Sequence, residues 1–185
     1  MGRPAGAARV SNANKAVLRI RIPRAEEAPA IFRLIEECPP LDPNSRYCNL
    51  LQCTHFAETC VVAERGGTLA GWISAYRVPA APHELFVWQV AVAPWARGTG
   101  VAARMLDVLM ARPACRDITR LSASITDGNA PSRALFASFA RRCGVPMSER
   151  PWFERDRHFD GSHETEHLLS IGPLPASATT IPEDA

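Results

Sequence analysis

The segment Gln89-Val90-Ala91-Val92-Ala93-Pro94-Trp95-Ala96-Arg97-Gly98-Thr99-Gly100-Val101-Ala102 carries the plainest chemistry in the sequence: an apolar run, a Gly-rich turn beside a cation, then a helical pattern. Glycines at 98 and 100 let backbone amides approach a ligand with no Cβ in the way. The helix start adds unpaired N–H groups and a partial positive charge. Such a junction suits an anion, and a pyrophosphate would sit there well. For an isolated G-x-G the blander account is a tight strand-to-helix connection with glycines serving only the turn.

A second cluster, His163-Glu164-Thr165-Glu166-His167, reads as H-E-x-x-H. On a helix its two histidines would lie one turn apart and bind zinc while the Glu activates water. Downstream of His167 the chain has no Cys or His, only Glu183 and Asp184 as carboxylates, so a third ligand is hard to place and no metal is expected. The six cysteines, Cys38, Cys48, Cys53, Cys60, Cys115 and Cys143, form no C-x-x-C pair and read as reduced, mostly buried thiols.

The elements that must position these groups follow from pattern. Alternation over 17–22 reads as a strand, and Pro23 opens a helical pattern through Ile31, Leu34 and Ile35 that Pro39 and Pro40 stop. Asn44 or Ser45 caps a short helix toward Gln52. Apolar, β-branched runs over 59–64 and 68–76, joined by Arg65-Gly66-Gly67, make a hairpin. A third run, 83–92, enters a helix over 99–111 with Val101, Met105, Val108 and Leu109 on one face. A strand over 118–125 leads through Asp127-Gly128-Asn129 into a helix over 131–142, and 168–171 closes the sheet. The expected organisation is one domain over 17–172, between loose tails at 1–16 and 173–185.

Length and charge narrow the function. At 185 residues and 46% hydrophobic the chain can bury a real core. Its 21 basic residues are spread among 19 acidic ones for a net charge of +2, which speaks against capture of a nucleic-acid backbone and for a small-molecule partner. No apolar run approaches the roughly 20 residues of a membrane span, and no basic-then-apolar signal precedes the first strand, so a cytoplasmic protein is expected.

Arg97-x-x-Gly100-x-Ala102 resembles the R/Q-x-x-G-x-G/A signature by which enzymes of the GNAT superfamily of N-acetyltransferases hold the pyrophosphate of coenzyme A. The Val-Ala-Val strand ending in Pro94 is similar to their signature strand, and Asn129-Ala130-Pro131-Ser132-Arg133-Ala134-Leu135-Phe136 to their second cofactor segment. The resemblance implies an α/β fold of the α+β type: a central mixed, mostly antiparallel sheet, splayed at the fourth strand, with helices on both faces. It implies acetyl-CoA as cosubstrate, held by Arg97, Gly98, Thr99, Gly100, Val101 and Ala102. The free N–H groups of Val90 and Val92 would bond the acetyl carbonyl and the pantetheine arm, and Asn129 would touch the pantetheine. Asn129 could equally be a helix cap. Many members carry a Tyr as general acid where this chain has Phe136, which leaves the acid to another group or to solvent.

Further segments resemble the L-2,4-diaminobutyrate N4-acetyltransferases of ectoine biosynthesis: Leu41-Asp42-Pro43-Asn44-Ser45-Arg46-Tyr47, Phe86-Val87-Trp88-Gln89-Val90, Ala111-Arg112-Pro113-Ala114-Cys115 and Gly161-Ser162-His163-Glu164. That likeness implies that Asp42, Tyr47, Trp88, His163 and Glu166 surround a small diamino acid, and that the enzyme is a homodimer. The residue types agree with it. Carboxylates at 42 and 166 suit a substrate with two ammonium groups, and Trp88 offers a flat face to a cation or methylene stem. Their bland fates are a turn Asp before Pro43, a core Trp and a solvated Glu. Glu166, helped by His163 or a water, is the expected general base, and attack is expected to be direct, with no acetyl-enzyme. The rivals are an acyl-CoA sensor without chemistry, an acetyltransferase for another amine or a protein N-terminus, and the zinc hydrolase that H-E-x-x-H suggests.

Overall fold

The structure is a computed structural model that describes residues 17–175. The tail expected at 1–16 lies outside the described residues, as does the tail expected at the C-terminus from residue 176 on. Strand β1, Leu18–Arg21, leads into helix α1, Ala28–Glu36, whose Ala28, Ile31, Leu34 and Ile35 recur at helical spacing and are buried. Helix α2, Arg46–Gln52, starts where the Ser45 hydroxyl accepts the Cys48 N–H at 3.1 Å. Strands β2, Val61–Arg65, β3, Thr68–Val78, and β4, Ala81–Val92, form an antiparallel meander. Helix α3, Val101–Met110, follows β4, and strand β5, Arg120–Ile125, precedes helix α4, Ala130–Cys143. Strand β6, Met147–Phe153, a one-turn helix, Arg155–His158, and strand β7, Glu166–Ile171, complete the chain.

The seven strands form one sheet in the order β1-β2-β3-β4-β5-β7-β6, in which only β4 and β5 run parallel. Mixed pairing with helices packed on it is the expected α/β arrangement. The helical face of α3 differs in one residue from expectation: Val101, Met105, Leu106 and Leu109 are buried, whereas Val108 points outward. Burying Met105, Leu106 and Leu109 is worth about 1.5–3 kcal/mol each relative to leaving them in water. Their close approach needs Gly71 on β3, because a Cβ there would lie 2.6 Å from Met105 Cε and 3.2 Å from Val101 Cγ1. A residue without a side chain on β3 thus sets the seat of α3, and with it the helix start that follows the Gly-rich turn.

Two irregularities of β4 position the site. The β4–β5 ladder runs from Glu84↔Arg120 to Val87↔Ala123 and stops, so the edge of β4 from Trp88 to Val92 has no strand beside it on that side. On the other side, Ser74 pairs with Gln89 and Ala75 with Val87, leaving Trp88 as the extra residue of a β-bulge. Bulges bend a strand and re-aim a side chain. Among the described residues no helix is long and apolar enough to cross a membrane.

Strand β6 and the turn of helix after it were not expected. Most of β6 is exposed, it includes Pro151, and its register slips between Pro151 and Phe153. Edge strands tolerate such residues because only one side must pair, and for the same reason they lack an apolar signature.

Candidate functional site

Backbone parity decides which groups face the gap beside β4. The Ala93 N–H donates to Ala70 O of β3 at 3.0 Å, so the two-residue period turns Ala91 toward β3 and turns Val90 and Val92 the other way. The N–H groups of Val90 and Val92 therefore face the splay, and both residues line a cavity of about 680 Å³. The opposite wall comes from α4 and the turn before it, with Gly128, Asn129, Pro131, Ala134 and Leu135, and the Gly-rich turn closes one end.

That turn has the conformation an anion site requires. Gly98 and Gly100 sit at φ +73° and +77°, and a Cβ at either would meet nothing within 4 Å. The left-handed conformation and open space bring bare backbone to the mouth of the cleft at the start of a ten-residue helix. Val101 is buried, so it offers the cleft its backbone, while Ala102 lines it half-buried. Arg97 is exposed beside the turn, its Nε donating to Val92 O at 3.2 Å. Thr99 does not line the cleft, because its hydroxyl turns back to Ala96 O at 2.7 Å. Asn129 lines the cleft, and its Oδ1 caps α4 by accepting the Ser132 N–H at 3.2 Å.

Asp42, His163 and Glu166 come together from positions more than 120 residues apart in the sequence. His163 Nε2 lies 3.4 Å from Asp42 Oδ2 and 3.9 Å from Glu166 Oε1, while its Nδ1 is 2.8 Å from Glu164 O. Both ring nitrogens thus face oxygens. Asp42 is open to solvent, but Glu166 is largely covered and its Oε2 is buried with no hydrogen-bond partner. A buried carboxylate oxygen left empty is poised to take a proton or an ammonium.

Trp88 forms part of a second cavity, about 620 Å³, with Gln52, Ser74, Tyr76, Phe86 and Trp152 among its walls. Its ring meets Tyr76 edge-on at 6.2 Å. Tyr47 is 69% exposed on the first turn of α2 and, like Asp42, His163 and Glu166, is outside the lining of both cavities.

The motif His163-Glu164-Thr165-Glu166-His167 does not form a zinc-binding helix. Its last two residues begin strand β7, and its two histidines serve different neighbours. His167 Nε2 lies 3.3 Å from Asp127 Oδ1 and its Nδ1 3.6 Å from Glu149 Oε1. Arg133 binds Glu149 through two nitrogens and donates to Asp127 O, which closes a ring of four polar residues behind the Asp127-Gly128-Asn129 turn. Hydrogen bonding from Arg133 holds the Glu149 carboxyl below its ordinary range. The group braces a wall of the cleft.

Gln89 carries no signal in the sequence, yet it joins the two halves of the site. Its amide donates to Asp42 O at 2.8 Å and accepts from Asn44 Nδ2 at 3.0 Å, which pins the 42–44 segment to β4. Cys38 also went unforeseen as a lining residue; its thiol donates to Val92 O at 3.4 Å. Burial pushes the Cys53 and Cys60 thiols up to about 12 and the Cys115 thiol up to about 11, so none of the three offers a thiolate at neutral pH. Phe136 is 2% exposed and packs in the core outside the cleft lining.

With this geometry in hand, comparison with known proteins is specific. Residues 28–140 match the model of the acetyltransferase (GNAT) family. The L-2,4-diaminobutyric acid acetyltransferase of Methylotuvimicrobium alcaliphilum is 48% identical over 86% of this chain and 93% of its own, and that of Vibrio cholerae 46% identical over 85% and 90%. A solved structure of the diaminobutyrate acetyltransferase from Paenibacillus lautus, in complex with its substrate L-2,4-diaminobutyric acid and coenzyme A, superposes with a TM-score of 0.83 at 37% identity, covering 85% of this chain and 96% of that one. The ribosomal-protein-S18-alanine N-acetyltransferase of Escherichia coli, 16% identical with a TM-score of 0.62 over 88% of this chain and 98% of its own, shares the fold. A family match over most of the sheet, and relatives alike along nearly their whole length, lead to one conclusion: the chain belongs to the GNAT acetyltransferase family.

Proposed function

We propose that this protein transfers the acetyl group of acetyl-CoA to the 4-amino group of L-2,4-diaminobutyrate, the acetylation step of ectoine biosynthesis and hence part of osmoprotection. One observation carries the reading. The Gln89 side chain holds the Asp42 backbone, and the next residue, Val90, turns its N–H into the cofactor cleft, so the segment that bears Asp42 is tied to the residue beside the amide that would polarise a thioester. The diaminobutyrate acetyltransferases among its relatives support the choice of acceptor.

Asp42 and Glu166 hold the two ammonium groups of the acceptor, and Trp88 walls its methylene stem. The reacting amine has a reference pKa of about 10.4, so it arrives protonated and cannot attack. Glu166 accepts that proton on its empty Oε2, and His163, beside both carboxylates, keeps the proton within the cluster. The amine nitrogen then bonds the acetyl carbon and sheds its second proton to solvent as the carbon–sulfur bond breaks, and the Val90 N–H steadies the carbonyl oxygen. The thiolate takes its proton from a group other than residue 136, since Phe136 lies in the core. Residues 17–172 form a single catalytic domain that works in the cytoplasm as a homodimer.

The test supplies acetyl-CoA with L-2,4-diaminobutyrate, lysine, ornithine or spermidine, follows coenzyme A release and locates the acetyl group by NMR. Preference for diaminobutyrate with acetyl on N4 is expected; stronger turnover of another amine ends the assignment. A smaller effect tests the junction. Gln89→Leu loses both bonds to the 42–44 segment, and the KM for the amine is expected to rise about 5–20-fold with the KM for acetyl-CoA little changed. Equal increases in both constants in steady-state kinetics would show that Gln89 supports the sheet and not the acceptor loop.

A further inference from the structure

The second cavity holds two polar groups that the fold leaves unserved. Ser74 and Gln52 are 1% and 2% exposed, both line the cavity, and Ser74 Oγ and Gln52 Nε2 have no hydrogen-bond partner. The Gln52 amide is oriented by the Asn49 Nδ2, which donates to its Oε1 at 2.9 Å and leaves the NH₂ end over. Burying a donor without a partner is unfavourable, so two at one aromatic-walled cavity mark a place where something polar binds.

Position says what reaches them. Ser74 lies directly opposite Gln89 in the β3–β4 ladder, so the two side chains share a face of the sheet with Cβ atoms about 4.5–5.5 Å apart. Gln89 is the residue that grips the Asp42 segment, which puts Ser74 beside the end of the site that receives an ammonium. Trp88, the extra residue of the bulge beside Gln89, is a wall of the same cavity.

Charge says what the ligand group is. The acceptor carries a carboxylate on the same carbon as its α-ammonium. Asp42 and Glu166 repel that carboxylate, and His163 stands between them. The second cavity has no acidic residue in its lining; its one ionic side chain, Arg77, is a cation already paired with Asp117, and the buried donors of its lining that lack a partner are Ser74 Oγ and Gln52 Nε2. We propose that Ser74 Oγ and Gln52 Nε2 form the subsite for the acceptor's α-carboxylate, and so make the enzyme select an amino acid over a plain diamine. This rests on the acetyltransferase reading above. Hydrogen bonds to a charged group, made where water is excluded, separate two such acceptors strongly.

Kinetics with the full-length protein tests it, using L-2,4-diaminobutyrate and 1,3-diaminopropane, which is the same diamine without the carboxylate. Wild-type protein is expected to prefer diaminobutyrate in kcat/KM by about 100-fold or more. Ser74→Ala, which breaks no internal bond, and Gln52→Leu are each expected to shrink that ratio about tenfold, through KM for diaminobutyrate and not through kcat. A Ser74→Ala protein with native circular dichroism and an undiminished ratio overturns the subsite. Wild-type protein that turns over both acceptors equally also overturns it while leaving the acetyltransferase reading in place. Failure to acetylate either removes that reading and the subsite with it.

Discussion

Glu166→Gln is expected to lower kcat for acetyl transfer by about 10²–10⁴-fold, the usual range for losing a general base. The amide is isosteric and can still meet His163, so the fold should persist, checked by circular dichroism and melting temperature. What the variant lacks is a basic oxygen at the buried, unpartnered Oε2 position. The pH profile separates this loss from weakened binding. As pH rises toward the amine's reference value of about 10.4, more acceptor arrives already deprotonated, so the ratio of wild-type to variant rate should fall. Turnover above a tenth of wild type at saturating acceptor would move the base elsewhere, with His163 next in line because its Nε2 faces the same oxygens.

The second large effect belongs to the cofactor. Gly100→Val is expected to weaken coenzyme A binding about 100-fold by titration calorimetry, for two reasons that act together. A φ of +77° strains any residue with a Cβ by about 1–2 kcal/mol, and a β-branched one more. The Cβ also enters space that no protein atom occupies within 4 Å, at the point where backbone must come close to a phosphate. Because that space is empty of protein, the steric part of the penalty should appear on binding, while the backbone strain is carried by the unliganded variant as a lowered melting temperature. Affinity within threefold of wild type would show that the anion is held elsewhere on the turn.

Much of the fold was legible because its core elements carry their own signal. The apolar runs that became β2, β3, β4 and β5, and the helical spacing in α1 and α3, follow from one-sided burial. Strand β6 was not legible, because an exposed edge with a proline looks like a loop. The bulge at Trp88 was hidden for a related reason: it is a property of two strands in register, and no single strand records it. The site divides the same way. Arg97, Gly98, Gly100 and Asn129 lie within short segments whose spacing has a mechanical meaning. Asp42, His163 and Glu166 were found only through resemblance to a family, and the same resemblance gave Tyr47, which is exposed on α2. Gln89 acts through contacts between a strand and a loop, for which no motif exists. The H-E-x-x-H match failed because that pattern means metal only on a helix, and here it enters a strand.

The short β4–β5 ladder leaves part of a strand edge unpaired inside the molecule. A strand edge with unsatisfied amides is ordinarily a template on which another chain can add a strand, and proteins guard their outer edges against it. Here the bare edge of Trp88–Val92 is turned inward, in a recess walled by α4 and the Gly-rich turn. A pleated strand carries side chains on both faces and has no room to enter. A thin, thread-like arm with amide groups along its length can slide in and satisfy those N–H groups one after another. The molecule thus keeps a sticky edge and admits to it only guests as slender as the one it uses.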